Sequence, residues 1–327
     1  MRLVVTGAAG FIGSNYVRRA LGGQLEGVEV SGVTVLDKLT YAGVRANLAP
    51  VDDDPRFRFV EGDICDADLV AELLPGHDAV VHFAAESHVD RSIAGASEFV
   101  TTNVLGTQTL LAAARSAGIS TFVHVSTDEV YGSIDSGSWD ESWPLTPNSP
   151  YAASKAGSDL IALAYNRTFG MDVRVTRCSN NYGPYQFPEK VIPLFVTNLL
   201  DGLTVPLYGD GLNVREWLHV DDHCRGIHLA LSNGKAGEVY NLSGGTELTN
   251  KELTHRLLEV TGRDWDSVVP VADRLGHDRR YSLDGAKAQR EIGYVPLVPL
   301  DEGLAATVEW YRTHEDWWRP LKARSAS

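Results

Sequence analysis

The chain has 327 residues, 43% of them hydrophobic and 22% charged, an ordinary balance for a folded protein long enough to bury one large core or two smaller ones. A formal net charge of -14 argues against sequence-independent binding to nucleic acid or to an anionic membrane, and requires local Arg or Lys wherever an anion is to sit. No apolar run reaches the roughly 20 residues that span a bilayer, and Cys65, Cys178 and Cys224 lie far apart without CxxC spacing, which fits reduced thiols in a cytoplasm and neither a disulfide framework nor a metal site.

The opening "MRLVVTG" is already a strand entering a turn and leaves no room for a signal peptide. Apolar runs predict strands over Arg2–Thr6, Gly32–Asp37, Arg56–Val60, Ala79–Ala84, Thr121–Ser126 and Val173–Cys178. Amphipathic runs between them predict helices over Phe11–Leu21, Ala67–Leu74, Ser97–Ala117 and Tyr151–Phe169. Strands apolar throughout and alternating with helices indicate a parallel sheet covered on both faces, a doubly wound, Rossmann-like α/β fold. The first domain is expected over 1–178, with a returning segment near 218–244, and a second, smaller α/β lobe over 179–327. In that second part "SNNYGPYQFPEK" reads as a loop. A helix is expected over Val191–Asp201 and a strand near Leu203–Tyr208. The polar "DGLNVREW" and a strand at Val239–Leu242 complete the lobe, with helices over Asn250–Thr261, Gly285–Ile292 and Asp301–Thr313. The aromatic "WYRTHEDWWRP" reads as packing, and the tail after Pro320 as frayed.

"VTGAAGFIGS" places Gly7, Gly10 and Gly13 between the first strand and the first helix. Glycines there let the backbone approach a pyrophosphate, whose charge the helix N-terminus favours. The next strand ends in Asp37, near the offset at which such folds hold a ribose hydroxyl, and an acid there repels a 2′-phosphate, favouring NAD over NADP. Asp63, in "EGDI", is placed to accept from the adenine amine. Further along, Tyr151 and Lys155 in "PYAASK" stand i,i+4 on one helix face. A lysine beside a phenol favours the phenolate, and a phenol so tuned can take a proton from a substrate hydroxyl. In "VHVSTDEVYG" an apolar strand ends in adjacent carboxylates, Asp128 and Glu129, which repel each other and resist burial; taken alone, the pair suits a solvated loop.

Together with "LDKLTYAGVRANL", "HFAAESHVDRSI", "STDEVYG", "SPYAASKAGSD", "RCSNNYGPYQFPEKVIP", "YGDGLNVREWLHVDDHCRGI" and "HDRRYSLD", these features resemble the extended short-chain dehydrogenase/reductase superfamily. Within it the likeness is to the nucleoside-diphosphate-sugar dehydratases, the dTDP-glucose 4,6-dehydratase family in particular, and runs from about Arg2 to Trp318. One departure is Ala8, where the family's loop commonly has another glycine. The resemblance implies a lyase that oxidises C4 of a dTDP-glucose hexose, eliminates water across C5 and C6, and returns hydride to C6, retaining NAD throughout. Oxidation at C4 makes the C5 proton acidic, so the enzyme then needs a base at C5 and an acid for the C6 hydroxyl. Two carboxylates with split pKa values serve both roles. Since neighbours in a strand face opposite ways, Asp128 and Glu129 are expected just past the strand end, in a turn or first helical turn.

By resemblance Asp128 is the acid, Glu129 the base at C5 and Tyr151 the base at the C4 hydroxyl, while Lys155 tunes the phenol and holds the nicotinamide ribose and Thr127 bonds near O4. The implied NAD contacts are Gly7, Gly10, Phe11, Ile12, Gly13, Asp37, Lys38, Thr40, Asp63, Ile64, Ala84, Ala85, Ser87, Thr102, Tyr151 and Lys155. Those to the nucleotide sugar are Ser87, Thr127, Asn180, Glu189, Lys190, Arg215, Asn250, Arg274 and His277, with Arg215 the candidate for a bidentate phosphate clamp. For Arg215 a surface pairing with Glu216 or Asp210 stays open, as does a structural pair of His277 with Asp278. No metal, membrane or nucleic-acid partner is implied; a cytoplasmic homodimer is, joined through the Ser97–Ala117 and Tyr151–Phe169 helices. Two other readings use the same fold: a nucleotide-sugar epimerase or decarboxylase, and a non-catalytic NAD-sensing regulator. An epimerase needs no acid pair, and a regulator has no need of the Tyr and Lys.

Overall fold

A computed structural model describes residues 1–273 and 277–325. Seven strands, β1 (Arg2–Thr6), β2 (Gly32–Asp37), β3 (Phe57–Glu61), β4 (Ala79–His82), β5 (Thr121–Thr127), β6 (Val173–Cys178) and β10 (Val239–Leu242), build one sheet in the order β10-β6-β5-β4-β1-β2-β3. Every pairing in it is parallel. Successive side chains of β1 serve opposite faces: Val5 joins a core with Tyr16 and Val17, and Val4 joins a separate one with Leu110, Leu111 and Ala162. The first face is covered by α1 (Phe11–Leu21) and α8 (Val220–Asn233), the second by α2 (Ala67–Leu73), α5 (Thr107–Ser116) and α6 (Pro150–Phe169). A sheet buried on both sides explains why its strands read as unbroken apolar runs.

The smaller lobe combines β7 (Asn180–Tyr182), β9 (Val214–His219) and β11 (Thr246–Thr249) in a three-stranded sheet with a parallel pair, β8 (Val205–Tyr208) and β12 (Val268–Val271). Its core gathers Trp217, Leu253, Leu257 and Trp318 under α7 (Val191–Leu200), α9 (Asn250–Thr261) and α11 (Leu300–Thr313), with α10 (Ala286–Ile292) lying nearer the large sheet. The start of α9 is set by a capping box: the Glu252 amide donates to Thr249 Oγ1 at 3.1 Å and the Thr249 amide to Glu252 Oε2 at 2.8 Å. No helix among the described residues is long and apolar enough to cross a membrane.

Four sequence expectations change. Val239–Leu242, grouped as an element with the smaller lobe although it falls in the segment near 218–244 expected to return to the first domain, pairs with β6 at the edge of the large sheet. "SNNYGPYQFPEK" is not all loop, since Asn180–Tyr182 pairs with β9. The helix over Ser97–Ala117 is interrupted: after α3 (Val89–Ala94) and the short α4 (Ser97–Phe99), residues Val100–Gly106 wind as a π-helix before α5. There the Asn103 side chain is drawn inward to Glu86 and Ser154, and the Thr107 hydroxyl takes the Asn103 carbonyl at 2.7 Å. Finally, the tail is ordered as α12 (Glu315–Ser325). Trp318 is fully buried and donates to the Tyr311 carbonyl at 2.7 Å, while Arg319 and Lys322 both reach Asp201 at 2.9 Å.

Trp318→Ala is expected to cost the smaller lobe about 3–5 kcal/mol, the usual range for emptying a buried Trp site. A urea unfolding curve with an unchanged midpoint would show that α12 is not part of the lobe's core.

Candidate active site

Because the strands of the large sheet run the same way, their carboxyl ends share one edge, and a cleft of about 510 Å³ lies between that edge and the smaller lobe. Every candidate site residue lines it except Arg274, which lies outside the described residues.

The glycine turn follows β1 and opens α1. Gly7 has φ +69, and a Cβ there would stand 2.5 Å from the Ala84 amide nitrogen; at Gly13 it would stand 2.7 Å from the Gly7 carbonyl oxygen. Gly10 caps α1 with no side-chain hydrogen bond, so the first helical amides face the cleft bare of any side-chain cap. At the end of β2, Asp37 accepts the Ala9 and Leu39 amides, both at 2.8 Å, which ties the turn to the next strand. Lys38 swings to Asp63 at 2.7 Å. Burial lifts the Asp63 carboxyl, but Lys38 and the Cys65 amide outweigh it and leave the group below its ordinary range.

Past the end of β5 the chain turns into one 3₁₀ turn, Asp128–Tyr131, so the two acids leave the strand's alternation. Thr127 Oγ1 accepts the Glu129 amide at 3.3 Å and donates to Asp128 Oδ1 at 3.2 Å. Asp128 is 2% exposed, and its Oδ2 has no hydrogen-bond partner among the described residues. Burial first, then Glu129 and Glu216, push its carboxyl well above the ordinary aspartate range. This is the arrangement of an acid kept protonated beside a second carboxylate.

Tyr151 and Lys155 enter from α6. Ser149 caps that helix by accepting the Ala152 amide at 3.1 Å, and Pro150 sits in its first turn, where no N–H is needed. Both side chains are buried, and Lys155 Nζ donates to the Val125 carbonyl at 2.9 Å. The phenol is not lowered as the sequence suggested. Burial, then Glu129 and Cys178, push Tyr151 well above its ordinary value, while the lysine ammonium is turned to a β5 carbonyl.

The smaller lobe forms the opposite wall. Arg215 does not pair with Glu216 or Asp210. Its guanidinium donates to the Val214 and Asp278 carbonyls at 2.7 and 2.9 Å and lies 4.2 Å over the Tyr281 ring, while Asp210 pairs with Arg279. His277 is held by Asp273 at 2.6 Å, not by Asp278. Lys190 Nζ donates across the cleft to the Ser87 carbonyl at 3.0 Å, and Glu189 stands beside it, raised by burial. Asn180 Oδ1 is buried and finds no partner among the described residues, and Asn250 begins α9. The sequence reading missed Tyr41, Glu86, Cys178, Asn181, Trp217 and Tyr281, which also line the cleft. All six lie inside the quoted motifs, but their residue types suggest packing or solvent until the chain is folded.

The sequence model of the family described as GDP-mannose 4,6 dehydratase matches residues 4–307. A dTDP-glucose 4,6-dehydratase of Streptomyces antibioticus is 65% identical over 327 residues, covering 100% of this chain and 97% of that protein. The solved dTDP-glucose 4,6-dehydratase of Streptomyces venezuelae, with NAD bound, superposes with a TM-score of 0.97 at 70% identity, covering 98% of this chain and 100% of that one. A UDP-glucose 4-epimerase of Thermotoga maritima superposes with a TM-score of 0.88 at 32% identity over 96% and 99% of the two chains.

Asp128→Asn is expected to stabilise the protein at alkaline pH. A carboxyl raised on folding contributes stability that is complete below the ordinary aspartate range and is lost as pH rises through the raised value. The amide has no ionisation to lose, so the two thermal midpoints should agree near pH 4 and separate in the variant's favour towards pH 8. Coincident curves across that range would mean that Asp128 is not held protonated.

Proposed function

The chain belongs to the family described as GDP-mannose 4,6 dehydratase, and within it we propose that it converts dTDP-glucose to dTDP-4-keto-6-deoxyglucose, as a lyase using tightly bound NAD. The carrying observation is that one cleft holds both the Tyr151–Lys155 pair and the Asp128–Glu129 turn. The glycine cradle that a Cβ would fill, the α1 amides free of a side-chain cap and the Asp37 carboxylate at the end of β2 fit a dinucleotide. When bound, NAD supplies the oxidation at C4 and the later reduction at C6.

Tyr151 takes the proton of the C4 hydroxyl, with Thr127 hydrogen-bonding nearby. Lys155, one turn along the same helix, supplies the positive charge that favours the phenolate against the burial and the carboxylates that resist its ionisation. Glu129 then removes the C5 proton, made acidic by the neighbouring ketone. Asp128, kept protonated by burial, gives its proton to the departing C6 hydroxyl. Arg215, presented between two carbonyls and a phenol ring, faces the diphosphate, with Lys190, Arg274 and His277 as further cations or donors. Asn180 offers an unspent acceptor to the sugar or diphosphate; Ser87, Glu189 and Asn250 complete the lining. Chemistry confined to C4, as in an epimerase, gives the two carboxylates nothing to do.

We also place the working protein in the cytoplasm as a homodimer. Its three thiols are unpaired, which suits a reducing compartment. Ile93, Val100, Leu105, Leu160 and Phe169 stand 47–56% exposed along α3, the π-helical stretch and α6. Two copies of such an apolar face can cover each other about a two-fold axis. Light scattering at micromolar concentration should give twice the chain mass of 35.6 kDa, and a monomer there would exclude this interface.

Glu129→Gln and Asp128→Asn are expected to slow elimination about 10²–10⁴-fold, the range for one positioned acid or base, while leaving oxidation at C4 largely intact. Tyr151→Phe should block the oxidation itself. Nicotinamide absorbance in a single turnover separates these cases. For the reaction as a whole, dTDP-glucose carrying deuterium at C4 is turned over in ordinary water. Label recovered at C6, with solvent hydrogen at C5, is expected; label remaining at C4 would make the enzyme an epimerase.

A further inference from the structure

Beneath the cleft lies a dry cluster that the steps above do not use. Asp159 follows Lys155 by one turn on α6, and the two side chains are 0% and 4% exposed. Asp159 Oδ2 accepts from Arg177 Nε on β6 at 2.9 Å, and Oδ1 stands 3.2 Å from His124 Nε2 on β5. Arg177 is itself 3% exposed, and its other arm donates to the Tyr131 hydroxyl at 2.8 Å. Tyr131 belongs to the same turn as Asp128 and Glu129, and passes its own proton to Asn241 Oδ1 at 2.9 Å.

We propose that Asp159 is a positioning residue for this reaction: its carboxylate is the countercharge that lets Lys155 remain cationic beside the fixed charge of Arg177 beneath the cleft. The charge count carries the argument. His82 on β4 bonds Thr6 and Thr107 at 2.7 and 2.9 Å, and its ring lies 5.4 Å from that of His124. Burial, aided at His82 by His124 and Lys155 and at His124 by Lys155 and Arg177 against the pull of Asp159, holds both imidazoles below the ordinary histidine range, which favours the neutral ring in each. Cys178, on β6 beside Lys155, is pushed up by burial and stays a thiol. Tyr131 is likewise raised by burial. That leaves two cations and one carboxylate. The carboxylate answers both, held at about 2 because Arg177, the contact with His124 and Lys155 together outweigh its burial. Lys155 is lowered by burial, and Asp159 is the first group opposing that.

A guanidinium does not lose its proton in a protein, so neutralising Asp159 forces the adjustment onto Lys155. Asp159→Asn should therefore lower the Lys155 titration midpoint, and Arg177→Met, which frees the carboxylate for Lys155 alone, should raise it. The double variant should return it towards the parent. Opposite signs from two variants that both break one buried ion pair are not what general loosening produces.

The inference rests on the role proposed for Lys155, yet its test does not need turnover. The chain has seven lysines, so the Lys155 signal in full-length protein carrying ¹³C-labelled lysine can be assigned by its loss in Lys155→Met. Its ε-carbon shift is then followed against pH. A downward move of about one unit or more in Asp159→Asn is expected, within the span that buried lysines show. An upward move is expected in Arg177→Met, which decides alone should Asp159→Asn not fold. Unmoved midpoints, or moves of the same sign, would overturn the proposal. In single turnovers the alkaline limb of C4 oxidation should shift with the same signs. Failure of the dehydratase reading would show instead as deuterium left at C4, while the opposite shifts of the Lys155 midpoint in the two variants would still be seen.

Discussion

Strand direction is the constraint from which the site follows. Seven strands run the same way, so the loops that leave them all open at one edge of the sheet. The glycine turn leaves β1, Asp37 ends β2, Asp63 stands just past β3, Ala84 to Ser87 follow β4, and the acid pair follows β5. Residues far apart in sequence therefore meet without any long-range contact having been specified between them. The reversal of strand order between β1 and β4 supplies the crevice. The smaller lobe has only to close it from above, which it does with Lys190, Arg215 and their neighbours.

The same constraint explains what could be read in advance. β1, β2, β6, α1 and α9 have the bounds their apolar patterns predicted, because each owes its stability to a buried face or to local caps, and such signals are local. What stayed hidden was non-local. Nothing in "SNN" or "NVREW" announces a strand; each becomes one only when β9 pairs with β7 on one side and with β11 on the other, both distant in sequence. The π-helical stretch is invisible to a helical period because it answers to partners at Glu86 and Ser154. Candidate site residues gather in one cleft even where element bounds shift, since motifs at strand ends are carried there by the topology itself. Their partners did not: His277 took Asp273 in place of Asp278, and Arg215 took carbonyls in place of carboxylates. Asp159 and Arg177 are not among the candidates, because a charged side chain on a helix or near a strand end gives no local sign of burial, and only folding shows both buried.

A chain of net charge -14 that receives an anionic ligand must keep its own carboxylates from opposing it. The cleft achieves this less by adding cations than by withdrawing water. Asp37, Glu86, Asp128 and Glu189 all line it, and burial is the first cause raising each of them towards neutrality. Asp63 is instead answered directly by Lys38. Against so muted a background, single cations such as Arg215 and Lys190 can set the local sign. Counting charges along the sequence misses this, because a carboxylate's effective charge depends on how wet it is.

Withdrawing water has a second consequence, which joins the upper and lower layers of the site. Burial raises the Asp128 carboxyl, which suits the acid role proposed for it, and lowers the Lys155 ammonium, which opposes the role proposed for that residue. One dry environment thus favours the correct state of the first group and the wrong state of the second. In the role proposed for Asp159, the layer it forms with Arg177 and His124 answers the lysine and leaves the acid pair to its burial. Tyr131 then ties that layer back to the turn carrying Asp128 and Glu129 through the Arg177 guanidinium. Solvent could neutralise the lysine's difficulty as easily, but it would also let Asp128 ionise. A buried countercharge is the solution that keeps both residues in their working states.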